Sequence, residues 1–393
     1  MDETHRLEAE ILEIWREVTG LPELGPEDNF LALGGTPALA EKLIKKLEQN
    51  FGQHFHSAWL LVAPTVRDQV RWMESTWMGG EGESPLPNME PNPPVWRMLY
   101  DKQFAAQRDF KEPERKNPTA CFILSPGRSG STLLRAMLNG HPDLFAPPEL
   151  ELDLFYDMKS RHKGLAFGWS DLLGLESAVS QLWSCDHDEA VALVNEWREA
   201  NLPTLEVFRN LQIRCSPRLL VDQTTSLAVS MPALRRIELS FDQAHFIHLQ
   251  RHPLAMIRSW VRSNFAQVVP CTPRSAAEVN WVLAHQNVLR LFESVPDHRK
   301  LAVRYEDLVT DPQAQMTRIA KFLGVEFDAG MLDPYGDNLQ TTSPCGRFSG
   351  DKKFLQRNSV DPSTAAGSRR LPSDGPLLKT TEALARQFGY GSL

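Results

Sequence analysis

The apolar positions along this chain change period twice, and each change marks a change of architecture. In residues 1–75, Leu7, Ile11, Leu12, Ile14, Trp15 and Val18 recur at helical spacing, and Gly20 with Pro22 closes that stripe. Leu39, Leu43, Ile44 and Leu47 predict a second helix over 37–51, and a third is expected over 66–73, after the break at Pro64. Short amphipathic helices in close succession predict a small all-α bundle. Residues 76–98 lose the pattern: Gly79, Gly80 and Gly82 give way to Pro85, Pro87, Pro91, Pro93 and Pro94, the composition of a semi-rigid linker. Residues 95–108 regain a weak helical period, read as a lead-in helix. From residue 99 to 393 short apolar runs alternate with helical ones. Strands are expected at Thr119–Leu124, Leu219–Asp222, His245–Leu249 and Leu301–Tyr305, with helices over Ala276–Ser294 and Pro312–Leu323, the last closed by Gly324. The alternation predicts an α/β domain built on a parallel sheet covered on both faces. Ligands then bind at the carboxyl ends of the strands, where Asp222, Arg251 and Glu306-Asp307 all fall.

Composition narrows the class. A formal charge of −8 on 393 residues argues against a general nucleic-acid binder. No apolar run is long enough to span a membrane, and the first residues lack the layout of a signal peptide, so the expectation is a cytoplasmic protein. Five cysteines, widely spaced and without a CxxC pair, predict neither a disulfide frame nor a zinc site, and no metal is expected.

The chemistry concentrates in Cys121-Phe-Ile-Leu-Ser-Pro-Gly-Arg-Ser-Gly-Ser-Thr-Leu-Leu-Arg135. A strand turns through a Gly-rich loop into a helix whose apolar face is Leu133, Leu134, Met137 and Leu138. Gly127 and Gly130 allow close approach of an anion, so that main-chain N–H groups from Arg128, Ser129, Gly130, Ser131 and Thr132 point at a phosphate at the helix N-terminus. Arg128 adds a fork of donors, and the hydroxyls of Ser131 and Thr132 add more. The loop is not GxxxxGK[ST], since it is shorter and lacks the Lys, which disfavours a nucleotide-kinase reading. Pro126-Gly-Arg-Ser-Gly-Ser-Thr-Leu-Leu134 resembles the 5′-phosphosulfate loop of sulfotransferases that use 3′-phosphoadenosine 5′-phosphosulfate (PAPS).

A second resemblance lies upstream. Asp28-Asn-Phe-Leu-Ala-Leu-Gly-Gly-Thr-Pro-Ala-Leu-Ala40 is similar to the attachment segment of acyl- and peptidyl-carrier domains, F-x-x-L-G-G-D-S-L. The family's Asp is Thr36 here, and the Ser that carries the phosphopantetheine arm is Pro37, which has no nucleophile. The resemblance therefore implies a degenerate carrier-like domain with no arm on Pro37, retained for docking or folding.

Other segments strengthen the sulfotransferase resemblance over 119–362. Gln250-Arg-His-Pro-Leu-Ala-Met-Ile-Arg-Ser259 is a second strand-to-helix turn, whose Arg251 and Ser259 resemble the family's 3′-phosphate pair. Arg304-Tyr-Glu-Asp-Leu308 looks like the family's R-Y-E-D-L strand and is read as structural. Together with Leu134–Leu150 and Gly350-Asp-Lys-Lys-Phe354, these phrases look most like sulfotransferases embedded in polyketide and nonribosomal-peptide assembly lines. That implies sulfuryl transfer from PAPS to a hydroxyl or nitrogen of a biosynthetic intermediate, small or tethered to a partner's carrier domain.

Sulfuryl transfer needs positioned partners, charge neutralisation and a base for the acceptor proton. Arg128 is the electrostatic candidate. Glu149 is the candidate base, placed after Arg128 at the spacing found in tyrosylprotein sulfotransferases, with Glu151 in reserve. His141, closing the cradle helix, and His252, bonding main chain, are read as structural. Two positions depart from the family. Where relatives read D/E-K-T-P this chain has Asp222-Gln-Thr-Thr225, so a Lys is replaced by Gln223; where assembly-line relatives carry F-H-x-H it has Phe354-Leu-Gln-Arg357, with Leu355 at the first His. Either the acceptor differs and relies on Glu149, or catalysis is lost and the protein docks without reacting. Lys352, Lys353 and Arg357 remain as basic candidates for the 3′-phosphate or a phosphopantetheine.

Overall fold

The computed structural model describes residues 3–28, 30, 33, 37–52, 60, 63, 65–77, 112–165, 173–262, 273–335, 359–368 and 375–391. The lead-in helix, most of the linker, Gly34 to Thr36 of the carrier-like motif, and Lys352, Lys353, Leu355 and Arg357 lie outside the described residues. The chain divides into two compact units, Met1–Asn92 with Asn264–Ala276, and Pro93–Ser263 with Ala277–Leu393. Among the described residues no helix is long and apolar enough to cross a membrane.

The first unit contains α1 (Glu3–Thr19), α2 (Pro37–Phe51) and α3 (Val66–Trp77). Their apolar stripes converge on a core of Ile11, Trp15, Leu43, Leu47, Val66, Val70 and Met73. The indole N–H of Trp15, fully buried, donates to Gln69 Oε1 at 3.0 Å, and Gln69 Nε2 donates to Ala63 O at 3.0 Å. That pairing lets a polar amide sit inside the bundle without an unmet hydrogen bond. The third helix continues past the expected end at Met73 to Trp77.

The second unit is organised by β1 (Cys121–Leu124), β2 (Leu144–Phe145), β3 (Leu219–Asp222), β4 (His245–Gln250) and β5 (Lys300–Arg304), all parallel, in the order β2-β3-β1-β4-β5. β1 is buried along its whole length, as expected for a central parallel strand. Its alternating side chains face two cores. Cys121 and Ile123 join Leu134, Met137 and Leu138 of the cradle helix α4 (Ser131–Asn139). Phe122 packs among Phe208, Phe241 and Phe246, with ring centroids 4.8–6.0 Å apart within the group. Each such ring contributes ~1.5–3 kcal/mol by leaving water.

Between β2 and β3 the chain forms α5 (Met158–Leu165), α6 (Leu173–Trp183), α7 (His187–Glu199) and α8 (Thr204–Cys215), and α9 (Met231–Ser240) follows β3. Beyond β4 lie α10 (Pro253–Arg262) and α11 (Pro273–Phe292), the latter three residues earlier at its start and two at its end than the periodicity implies. The R-Y-E-D-L phrase is not one strand: β5 ends at Arg304, and Tyr305 opens α12 (Tyr305–Thr310). Next comes α13 (Pro312–Leu323), with Asp311 accepting the Ala314 N–H at its start and Gly324 in the left-handed region at its end. The last helix, α14 (Lys379–Gln387), is tied down by buried Glu278, whose Oε1 accepts from Leu378 N and Thr381 Oγ1, each at 2.7 Å.

Candidate active site

The turn after β1 takes the shape its sequence requires. Arg128 adopts φ 67° and Gly130 φ 93°, both in the left-handed region that costs a side-chain-bearing residue energy. At Gly130 a Cβ would overlap the Tyr305 ring, so only glycine fits. α4 starts immediately afterwards with no side-chain cap on its first turn, which leaves main-chain N–H groups and the positive end of the helix dipole directed outward. Ser125 Oγ and Ser129 Oγ are buried without a hydrogen-bond partner among the described residues. The turn is thus rich in donors and short of acceptors.

The strand-to-helix turn after β4 meets this one directly. Arg251, at the end of β4, donates through Nη1 to Arg128 O at 2.8 Å and lies 4.3 Å over the Tyr305 ring. Its own carbonyl accepts from the Trp281 indole at 2.9 Å. Pro253 opens α10, where its missing N–H costs nothing. Ser259 lies partly exposed on α10; among the described residues no hydrogen bond joins it to Arg251 or the cradle, but its neighbour Trp260 packs on Gly127, within 3.3 Å of where a Cβ would stand.

Glu306, from the structural-looking phrase, accepts the His252 N–H at 3.0 Å through one oxygen and the Tyr390 hydroxyl at 2.8 Å through the other. The His252 ring packs edge-on against Tyr390. His141 does not close the cradle helix, which ends at Gly140; its Nδ1 accepts the Asp143 N–H at 2.9 Å and its Nε2–H donates to Glu326 O at 2.7 Å.

The acidic side of the site sits on the loop after β2. Because β2 pairs with β3, this loop runs beside the turn after β3, and that topology brings Glu149 to Gln223 across 74 residues of sequence. Gln223 Nε2 donates to Glu149 Oε1 at 2.9 Å and Thr225 Oγ1 donates to the same oxygen at 3.1 Å. Two residues on, Glu151 adopts φ 51° and is buried, with Ser226 Oγ donating to its Oε2 at 2.7 Å and its own N–H going to Thr224 Oγ1 at 3.0 Å.

Three buried guanidiniums hold the loop by its carbonyls. Arg135 of α4 donates to Ala146 O at 2.9 Å, Arg161 of α5 donates twice to Leu150 O, and Arg236 of α9 donates to Asp153 O and Phe155 O. α6 closes over the loop at Gly174, where any Cβ would overlap Glu149 O.

Electrostatics follow from burial. Burial pushes the Glu149 carboxyl above the ordinary range, while the hydrogen bonds from Gln223 and Thr225 and the charge of Arg135 pull it back. Burial, with the neighbouring Glu149 and Asp222 charges, pushes Glu151 up to about 8. Burial likewise raises Asp153 to about 7 and Asp222 to about 6. A carboxyl with a raised pKa near a donor-rich turn is suited to accept a proton near neutrality.

The two strand-to-helix turns and both glutamates stand out in the sequence, but their supports do not. Arg135 reads as a surface residue of an amphipathic helix, Tyr305 as a strand residue, and Thr225 as part of a departure from pattern. The only signal for Arg135 is its position beside the apolar face of α4.

Comparison with known proteins places these features. Residues 120–329, just over half the chain, match the sequence profile described as "Sulfotransferase family", and residues 9–73 match "Phosphopantetheine attachment site". The sulfotransferase domain of the Synechococcus PCC 7002 olefin synthase superposes with a TM-score of 0.67 and 39% identity, covering 73% of this chain and 100% of that one. The sulfotransferase domain from the curacin biosynthetic pathway gives 0.64 and 34%, covering 71% and 100%. Nodulation protein NoeE of Sinorhizobium fredii is 25% identical over 62% of this chain, which spans only 58% of that protein. An α/β domain with two joined strand-to-helix turns, 39% identical along the whole of a solved sulfotransferase domain and preceded by a carrier-type region, leaves one assignment: this chain belongs to the sulfotransferase family.

Proposed function

We propose that this protein transfers a sulfuryl group from PAPS to a hydroxyl or nitrogen on a natural-product intermediate, free or presented by a partner's carrier domain. The single observation that carries the PAPS reading is the bond between the two turns: Arg251 donates to Arg128 O while lying on Tyr305, so a 3′-phosphate contact and a 5′-phosphosulfate contact are parts of one rigid piece. The donor set fits that ligand. A helix start with no side-chain cap, two left-handed residues and two buried serine hydroxyls without partners among the described residues offer hydrogen-bond donors to an anion.

In this reading Gly127 to Thr132 hold the 5′-phosphosulfate, and Arg251 with Ser259 holds the 3′-phosphate. Arg128 offsets charge at the sulfonate. PAPS supplies a sulfuryl group on a phosphate leaving group. Glu149 takes the acceptor's proton, and the carbonyl clamps of Arg135, Arg161 and Arg236 keep its loop in place. The carrier-type region bears Pro37 at the arm position, so an acceptor on a phosphopantetheine arm comes from a carrier domain other than this one. The relatives are domains of an olefin synthase and of the curacin pathway, which supports a pathway intermediate as acceptor.

The test has two steps. Adenosine 3′,5′-bisphosphate, added at 100 times its dissociation constant, stabilises by ~2.7 kcal/mol. The melting temperature should rise by several degrees with it, less with AMP or ADP, and not at all in Arg251→Ala. Labelled sulfate from PAPS should then appear on a carrier-bound hydroxyl acceptor. Binding without transfer to any acceptor would make the protein a docking relative of the enzymes. No shift at millimolar ligand would end the PAPS reading.

A further inference from the structure

The segments Glu149-Leu-Glu151 and Gln223-Thr-Thr-Ser226 interlock alternately. Gln223 and Thr225 donate to Glu149 Oε1, at 2.9 and 3.1 Å, while Thr224 and Ser226 engage Glu151, at 3.0 and 2.7 Å. Thr224 is fixed in turn by Asp222 Oδ1, which accepts both its hydroxyl and its N–H. Gln223 is 3% exposed, so its amide is committed to this contact. The side chain at that position is a neutral amide that meets Glu149 with its N–H.

The charges around Glu149 make that neutrality matter. Arg135 approaches it from α4. Glu151 on the same loop and Asp222 at the end of β3 both respond to its charge. From α6, which packs on the Glu149 carbonyl, buried Glu176 is answered by Arg161. Among the described residues, one cation therefore faces Glu149 against two carboxyls. An ammonium at position 223 would add a second cation within hydrogen-bond reach, favour the ionised carboxylate, and leave it a weaker base. An amide orients the carboxylate and lends it no charge.

We propose that Gln223 is a positioning residue for sulfuryl transfer: it fixes the Glu149 carboxylate with a neutral donor, and its lack of charge sets the pH range over which that carboxylate takes the acceptor's proton. The inference rests on Glu149 as the base. It also recasts the Gln at this position, which is not a lost contact to the leaving group but a tuned contact to the base.

Three variants of the full chain test it: Gln223→Lys, Gln223→Glu and the uncharged Gln223→Met. Two readouts are taken for each. One is the pH profile of sulfate transfer from PAPS. The other is independent of activity: infrared titration of the Glu149 carboxyl stretch, assigned by its loss in Glu149→Gln. Gln223→Lys should move the acidic limb and the carboxyl titration down by about one pH unit or more, and Gln223→Glu should move both up by a similar amount. Gln223→Met should lower kcat with KM for PAPS unchanged, since the base is loosened and the phosphate turns are untouched. The bisphosphate thermal shift confirms that each variant folds. If wild type transfers sulfate but the charged variants leave both the limb and the titration in place, the proposal is overturned while the function stands. If the titration moves in opposite directions but the limb does not follow, Glu149 is not the base, and the proposal falls with that assignment. Opposite movement of both supports it.

Discussion

The turn after β1 and the turn after β3 are neighbours at the carboxyl edge of one sheet, yet they are built to opposite ends. The first has two left-handed residues, a helix start with no side-chain cap, and two serine hydroxyls, Ser125 and Ser129, without a partner among the described residues. In the second, each polar side chain that follows the strand has a partner. Gln223, Thr224, Thr225 and Ser226 each spend a side-chain hydrogen bond on the facing loop or its own strand end. An anion site must keep donors open for a ligand, because main-chain N–H groups already taken cannot bind phosphate. A base must instead be held still by groups that are already taken. The contrast teaches that unmet hydrogen bonds mark the side of the site that receives a ligand, and met ones the side that positions a reacting group.

The largest break in this comparison is Glu149→Gln. It should reduce kcat by about 10²–10⁴-fold, or ~3–5 kcal/mol of transition-state stabilisation, while the thermal shift with adenosine 3′,5′-bisphosphate persists. A lost shift would mean that the two turns are one site rather than two. Next is Gly130→Ala, which forces a Cβ into the Tyr305 ring at positive φ. Overpacking of this kind costs ~1–3 kcal/mol, read as a lowered melting temperature, and nucleotide binding should fall with it. Thr225→Val removes one of two donors to Glu149 Oε1 and should cost about 0.5–1.5 kcal/mol in kcat/KM, leaving bisphosphate affinity unchanged.

The smallest effect sharpens the picture through pH. Asp153 is fully buried, its carboxyl oxygens have no hydrogen-bond partner among the described residues, and burial raises it to about 7. Its unfolded value is about 3.9. A carboxyl raised on folding contributes stability that is present below the unfolded value and is lost as pH rises through the folded one. Asp153→Asn should therefore melt above wild type by more at pH 8 than at pH 5. An equal difference at both pH values would show that Asp153 keeps one charge state throughout. His248 works in the other direction. Burial lowers it to about 3, so its contribution is present above an unfolded value of ~6.5 and is lost as pH falls from there toward 3.

Much of the fold was legible because its signals are local. Asp311, Pro312 and Gly324 bracket α13 where they stand, and all four expected strands lie within two residues of their observed ends. β2 was not legible: two residues, Leu144 and Phe145, carry no period. That omission hid the decisive adjacency, since the meeting of Glu149 with Gln223 depends on β2 lying next to β3. Gln223 read as a missing charge because a sequence displays the residue and not its partner. The carrier-type region gives the opposite lesson. Its helices and apolar core follow from periodicity alone, while its chemistry turns on Pro37.

One carboxylate described above reaches further than its own helix. Glu306 holds the first N–H of the α10 turn, beside Arg251, with one oxygen and the Tyr390 hydroxyl with the other. The segment around Tyr390 is thereby tied to the turn that carries Arg251, and thermodynamic reciprocity applies to the tie. Whatever steadies Arg251 steadies the segment around Tyr390, and whatever frees that segment loosens the grip on Arg251. The segment around Tyr390 is in that sense a silent ligand, bound intramolecularly.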